Sequence, residues 1–237
     1  VAKRNMYGDN KIANRADVGG ITRYRSVGEI FYCVASLNRY APWLNKIYIV
    51  TDEQNPMIDE RIEKLFPEGH IPMEIVDHKV IFRGFEEYLP TFNACAIESM
   101  TWRIPGLQDR YLEFNDDVML CAPVTPGDFI TYDGKSVCYA DKANIPMIRF
   151  TRFMKKIFGS KKSVTFKGIL ANSAILAGSR WSMLRINHNP RALRREFYEQ
   201  YFAEHPQTLI RNLRYRFRDS DMYLPELLQY TILNNQG

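Results

Sequence analysis

Lys46-Ile47-Tyr48-Ile49-Val50-Thr51-Asp52 decides the class of fold. Its unbroken apolar centre, rich in β-branched residues and ending in polar ones, reads as a strand covered on both faces. Helical signals flank it. Upstream, Ser26-Val27-Gly28-Glu29 has capping-box spacing, with Ser26 as N-cap and Glu29 reaching back to it. Val27, Ile30, Phe31, Val34 and Leu37 then recur with a period of about 3.6 until Pro42 stops the helix. Downstream, Met57 to Leu65 places Ile58, Ile62 and Leu65 on one side of a shorter helix, and Glu74-Ile75-Val76 reads as a second strand. Helix and strand in alternation predict an α/β fold built on a largely parallel sheet covered by helices.

Further along, Leu89-Pro90-Thr91-Phe92-Asn93 leads into a helix expected over Ala94 to Ile104, ended by Pro105-Gly106. Glu98 has Ala94 four residues before it and Trp102 four after, so it lacks an ion-pair partner on that helix and reads as a solvated carboxylate. Arg110-Tyr111-Leu112-Glu113-Phe114 is strand-like and delivers Asn115-Asp116-Asp117 at its C-terminal end, where open α/β sheets bind ligands. Adjacent carboxylates there either make a plain turn or hold a hard divalent cation against phosphate. Asn189-Pro190 has the form of a helix start, with Leu193, Phe197 and Tyr201 as its buried stripe. That reading puts His188 just outside a helix N-terminus, where free amides favour an anion. Arg214-Tyr215-Arg216-Phe217-Arg218 alternates basic and aromatic residues, which on an edge strand would set three arginines on one face.

The 237 residues, 46% hydrophobic and 25% charged, have the composition of an ordinary globular protein with a sizeable core. No apolar run approaches the roughly 20 residues of a membrane span, and residues 1–10 lack the apolar centre of a signal peptide. Cys33, Cys95, Cys121 and Cys138 are far apart without paired metal spacing, which predicts reduced, buried thiols and a reducing compartment. The net charge of +5 conceals an asymmetry. Lys142 to Arg195 carries thirteen Lys or Arg and no acid, leaving 19 basic against 27 acidic residues elsewhere. Such a field suits an anionic partner, whether nucleic acid, phospholipid headgroups, pyrophosphate or an anionic polymer. Within it, Phe150, Phe153, Met154, Ile157 and Phe158 at helical spacing, with Arg149, Arg152, Lys155 and Lys156 between them, describe a basic amphipathic helix. Its stripe either packs on the core or lies on a membrane surface. There is no Walker loop, no Gly-x-Gly-x-x-Gly fingerprint and no internal repeat.

The order of these segments resembles the Stealth family, which includes bacterial capsular polysaccharide phosphotransferases and the catalytic subunit of the lysosomal-enzyme GlcNAc-1-phosphotransferase. The resemblance runs from Arg23-Tyr24-Arg25 through Asn38-Arg39-Tyr40-Ala41-Pro42-Trp43 and the Lys46–Asp52 strand to His78, Leu89–Asn93, Ala96–Ser99, Arg103–Leu107 and Phe114–Met119. It resumes at His188-Asn189-Pro190 with Arg194, then Arg216-Phe217-Arg218 and Ser220-Asp221-Met222. It implies a GT-A-like nucleotide-sugar-binding sheet covered by helices, one catalytic domain over residues 1–237, with a basic helical insertion at 143–167 and a C-terminal helical part at 188–237. The family's usual first strand, of the type Asp-Val-Val-Tyr-Thr-Trp-Val-Asp-Gly, is expected to precede Val1. The implied activity is transfer of a hexose 1-phosphate, such as GlcNAc-1-phosphate, from a UDP-sugar to a glycan or capsule-polymer hydroxyl.

By position, the resemblance makes Glu98, Asp117, His188 and Arg218 catalytic and gives Mg2+ or Mn2+ to Asp116 and Asp117. Arg23, His78, Asn93, Asn115 and Arg216 are assigned to substrate binding. His188 is then the natural group to take the acceptor's proton, with Glu98 sharing that role or orienting the metal or acceptor. Arg218 clamps a phosphate through its planar fork. Asn115 either adds an amide oxygen to the metal or shapes the turn. The expected setting is the bacterial cytoplasm, peripheral to the inner membrane with contact to anionic lipid and no nucleic-acid partner. Two other classes use parts of the same features. A metal-dependent glycosyltransferase would transfer the sugar itself, and a non-catalytic polyanion- or carbohydrate-binding module would need only the basic segment.

Overall fold

The computed structural model describes residues 27–148, 150, 154 and 165–235. The first helix, α1, spans Glu29–Tyr40 and is entered through Gly28 at φ 91°, a left-handed conformation that favours glycine. Gly28 is therefore the N-cap and Glu29 the first helical residue, which corrects the expected capping box; Glu29 accepts from the Val27 amide at 2.8 Å, and Ser26 lies outside the described residues. Strand β1 (Ile47–Thr51) pairs in parallel with β2 (Met73–Asp77), Ile47 opposite Met73, and α2 (Asp59–Leu65) forms the crossover. Val34, Leu37, Ile47, Ile49, Ile58, Ile62 and Ile71 make the core of this βαβ unit. Leu65, expected on the buried side, is exposed.

Beyond this unit the predicted parallel sheet gives way to antiparallel pairs. Three two-stranded sheets are present among the described residues: β1 with β2, β3 (Arg110–Glu113) with β6 (Arg191–Arg194), and β4 (Ala140–Asn144) with β5 (Ser182–Ile186). The mixed α/β class therefore stands with a different sheet. The helix expected over 94–104 is shorter and divides into α4 (Ala94–Glu98) and a 3-10 turn, Thr101–Arg103, preceded by a one-turn helix α3 at His78–Ile81. After β4, α5 (Phe166–Leu176) buries Ile169, Leu170, Ala171 and Ala174. The amphipathic stretch 149–158 and the loop 159–163 lie almost wholly outside the described residues.

Residues 191–194 correct the helix start read at Asn189-Pro190. They extend along β3, with Ala192 and Leu193 each 2% exposed, and α6 begins only at Arg195 and runs to Glu204. Burial on both sides of a strand outweighs the local Asn-Pro signal. Two helices close the fold, α7 (Pro206–Leu213) and α8 (Pro225–Asn235). Arg214–Arg218 forms the bend between them rather than an edge strand, and its arginines diverge. Arg214 pairs with Asp221, whereas Arg216 donates to the Pro90 carbonyl at 2.9 Å. Of the thiols expected to be buried, Cys33 and Cys95 are, Cys138 is half-buried and Cys121 is exposed.

Candidate active site

The antiparallel register of β3 with β6 sets Glu113 opposite Arg191 and so builds the centre of the site. Arg191 Nη1 lies 3.4 Å from Glu113 Oε1 and 3.9 Å from Glu98 Oε1, and its Nε lies 3.2 Å from Glu226 Oε1. Glu98 is the last residue of α4 and Glu226 belongs to the first turn of α8. One guanidinium thus faces three carboxyl groups from three other elements. All four side chains are withdrawn from water: Glu226 is fully buried, Arg191 9% exposed, Glu113 12% and Glu98 17%.

Three carboxylates and one cation cannot all remain charged cheaply in such a place. Burial, followed by the neighbouring Glu98, pushes Glu113 up to about 7, with Arg191 opposing. Burial and Glu98 likewise hold Glu226 well above the usual carboxylate range. Glu98 is also raised by burial, against the charges of Arg191, Arg218 and His188. Burial pulls Arg191 down, yet Glu226, Glu98 and Glu113 outweigh it and the net shift is upward. Glu98 Oε2 is buried without a hydrogen-bond partner among the described residues.

Asn115 links this centre to the exposed rim. Its Oδ1 accepts from Arg191 Nη1 at 3.4 Å, and its Nδ2 lies 3.3 Å from Nδ1 of His188. The exposed imidazole of His188 lies nearly parallel to the Phe166 ring at the start of α5, with centroids 6.5 Å apart and planes 13° from parallel. Arg218 reaches Glu98 electrostatically from the α7–α8 bend. That bend is pinned from several sides. Asn93 Nδ2 donates to the Tyr215 carbonyl at 2.9 Å, Phe92 N donates to the Arg216 carbonyl at 2.8 Å, and Asn172 holds the Ser220 and Met222 carbonyls at 2.9 and 2.7 Å.

Asp116 and Asp117 are exposed on the following turn, on the side of α1. Burial, then Asp117 and Glu29, raise Asp116. Cys33 on α1 donates to the Asn115 carbonyl, and its thiol is pushed up to about 11 by burial, Asp116 and Asp117. No group of three or more His, Cys, Asp and Glu poised to hold a metal exists among the described residues. Two neighbouring carboxylates with no ion-pair partner among the described residues nevertheless fit a Mg2+-type ion, which takes one or two protein carboxylates and completes its shell with phosphate and water.

The structure therefore gathers Glu98, Asn115, His188 and Arg218, with Asp116 and Asp117 on the adjoining turn. His188 precedes a strand, so a helix N-terminus does not supply its anion preference. Asn93 is 1% exposed and Arg216 is committed to the Pro90 carbonyl, so both shape the Arg218 bend. His78 is buried at the start of α3 beside Phe82. Arg23 lies outside the described residues. Sequence reading passed over Arg191, Glu113 and Glu226. Glu113 stood in plain view on the strand and Arg191 in the acid-free segment, but only pairing between distant segments gives either a partner.

Together these features define a mixed α/β protein whose site collects carboxyl, imidazole and guanidinium groups from widely separated segments. The chain belongs to the Stealth family, whose conserved region 2 matches residues 23–138. It is 39% identical over 134 residues to receptor polysaccharide phosphotransferase WefC of Streptococcus oralis, covering 56% of this chain and 37% of that protein. Capsular polysaccharide phosphotransferase WcwK of Streptococcus pneumoniae is 38% identical over 133 residues, 56% of this chain and 37% of WcwK. A longer match, 30% over 218 residues, covers 91% of this chain and 34% of exopolysaccharide phosphotransferase SCO6023 of Streptomyces coelicolor. The chain thus spans about a third of the length of these relatives.

Proposed function

We propose that this chain forms the catalytic centre of a sugar-phosphate transferase that moves a hexose 1-phosphate, such as GlcNAc-1-phosphate, from a UDP-sugar to a hydroxyl of a capsule or exopolysaccharide glycan. The observation that carries the reading is the buried Glu98 carboxyl, paired with Arg191 and within the electrostatic reach of Arg218 and His188, with His188 held 3.3 Å from Asn115 beside the Asp116-Asp117 turn. Kinship with polysaccharide phosphotransferases supports it. In the reaction the acceptor oxygen attacks the sugar-bearing phosphorus and forms the new O–P bond. The bond from that phosphorus to the bridging oxygen breaks, UMP leaves with the electron pair, and the acceptor proton passes to a base. Catalysis of such transfer is mainly positioning and charge neutralisation.

Arg218 would supply a fixed cation to the phosphoryl oxygens, with the planar donor geometry that suits them. Glu98, its carboxyl raised toward neutrality, is closer to the working range of a general base than an ordinary glutamate. Asp116 and Asp117 would hold Mg2+ or Mn2+, which when bound supplies positive charge against the pyrophosphate. The basic stretch from Lys142 to Arg195 suits docking of an anionic polymer or the anionic face of a bacterial inner membrane from the cytoplasm. No helix among the described residues is long and apolar enough to cross a membrane.

The nucleotide released from a UDP-sugar in the presence of an acceptor glycan tests the proposal. UMP together with a phosphodiester product is the expected result. UDP would mean attack at the anomeric carbon and a GT-A glycosyltransferase, and the absence of either nucleotide with retained glycan binding would mean a binding module.

A further inference from the structure

The contacts around Asn115 assign a proton as well as a position. An arginine side chain has donors only, so the Asn115 atom 3.4 Å from Arg191 Nη1 is the amide oxygen. The flipped amide would set its NH2 group against the guanidinium. Arg191 is itself held by Glu113 and Glu226, with β6 in register against β3, and keeps this aim. With the oxygen taken, the amide NH2 faces Nδ1 of His188 at 3.3 Å. A donor there needs a bare nitrogen opposite it, so the neutral imidazole carries its hydrogen on Nε2. Phe166, lying nearly parallel to the ring, limits its tilt.

We propose that Arg191 is a positioning residue which, through Asn115, fixes His188 as the Nε2–H tautomer, so that His188 meets the transferred phosphoryl group as a hydrogen-bond donor. The division of labour follows, and it rests on the transferase reading above. While the Asn115 contact lasts, neither ring nitrogen has a free lone pair, so the acceptor's proton goes to Glu98. Nε2–H, like Arg218, then stabilises oxygens on which negative charge accumulates.

The tautomer is measured directly in the whole chain labelled with 15N-histidine, by long-range 1H–15N correlation at a pH where the imidazoles are neutral. The chain has four histidines, and His188→Gln identifies the signals of this one. The expected wild-type pattern is a bare Nδ1 and a protonated Nε2. Asn115→Asp replaces the donor with a carboxylate and is expected to move the proton to Nδ1. Arg191→Met is expected to release the amide and give a mixture of the two forms. Because Arg191→Met removes a buried cation and can unfold the chain, Asn115→Asp at the half-buried turn provides the independent comparison. A wild-type Nδ1–H pattern, or an Asn115→Asp pattern unchanged from wild type, overturns the proposal. Transferase failure accompanied by the expected tautomer pattern would remove the reaction assignment, and the phosphoryl contact of His188 with it, while the tautomer set by Arg191 and Asn115 would stand.

Discussion

Arg191→Met keeps most of the side-chain stem and removes the guanidinium seated among Glu98, Glu113 and Glu226. Separations of 3.2, 3.4 and 3.9 Å correspond to gross attractions of about 4–5 kcal/mol each at an effective dielectric of about 20. Desolvation and repulsion among the carboxylates cancel much of that. What remains when a buried pair is broken from one side is about 3–5 kcal/mol, equivalent to a urea midpoint lowered by about 1–2 M. The loss must also depend on pH. Glu113 titrates near 7 in the folded protein against an ordinary value of 4.5, so the folded state binds its proton more tightly and stability falls as pH rises across that window. Without Arg191 the carboxyls are raised further, and the fall becomes steeper and continues to higher pH. Below about 4.5, where the carboxyls are protonated in both states, the deficit shrinks toward the packing difference. Urea unfolding of the two proteins at pH 5.5 and pH 8 reads this out. A deficit equal at both pH values, or one below about 1 kcal/mol at pH 8, would refute the electrostatic account.

Asp117→Asn, at an exposed turn position, is expected to leave the unfolding free energy from urea titration within about 0.5 kcal/mol of wild type while abolishing divalent-dependent turnover; full turnover would remove the metal assignment. Arg218→Lys should lower turnover by orders of magnitude, because an ammonium cannot reproduce a two-donor grip on phosphate. Near-wild-type rates in that variant would place Arg218 outside the phosphate site.

The βαβ start was legible because its signals are local: a four-residue apolar strand core, a periodic helix and a second strand within the reach of one crossover; the cap was misplaced, because Gly28 and not Ser26 precedes the first helical residue. The Asn115–Asp117 turn was legible for the same reason. Glu98 was misread as solvated because its partner Arg191, and Arg218 whose charge also acts on it, arrive from segments that no helical spacing rule reaches. Asn189-Pro190 misled because a good helix start was overridden by pairing with β3, which buries Ala192 and Leu193 together. The alternation in Arg214–Arg218 misled similarly. With helices on both sides, the segment bends, and Arg216 satisfies main-chain carbonyls instead of presenting its charge.

The pairing of Glu113 with Arg191 also has a consequence in time. During synthesis the first part of the chain leaves the ribosome with Glu98 and Glu113 already made and their common cation not yet translated, and Glu226 follows later still. A nascent chain halted before β6 lacks Arg191, Arg218 and Glu226, and with them the cation on which its earlier carboxylates converge. Glu98 and Glu113 therefore gain their common cation only when β6 takes its place on the edge of β3.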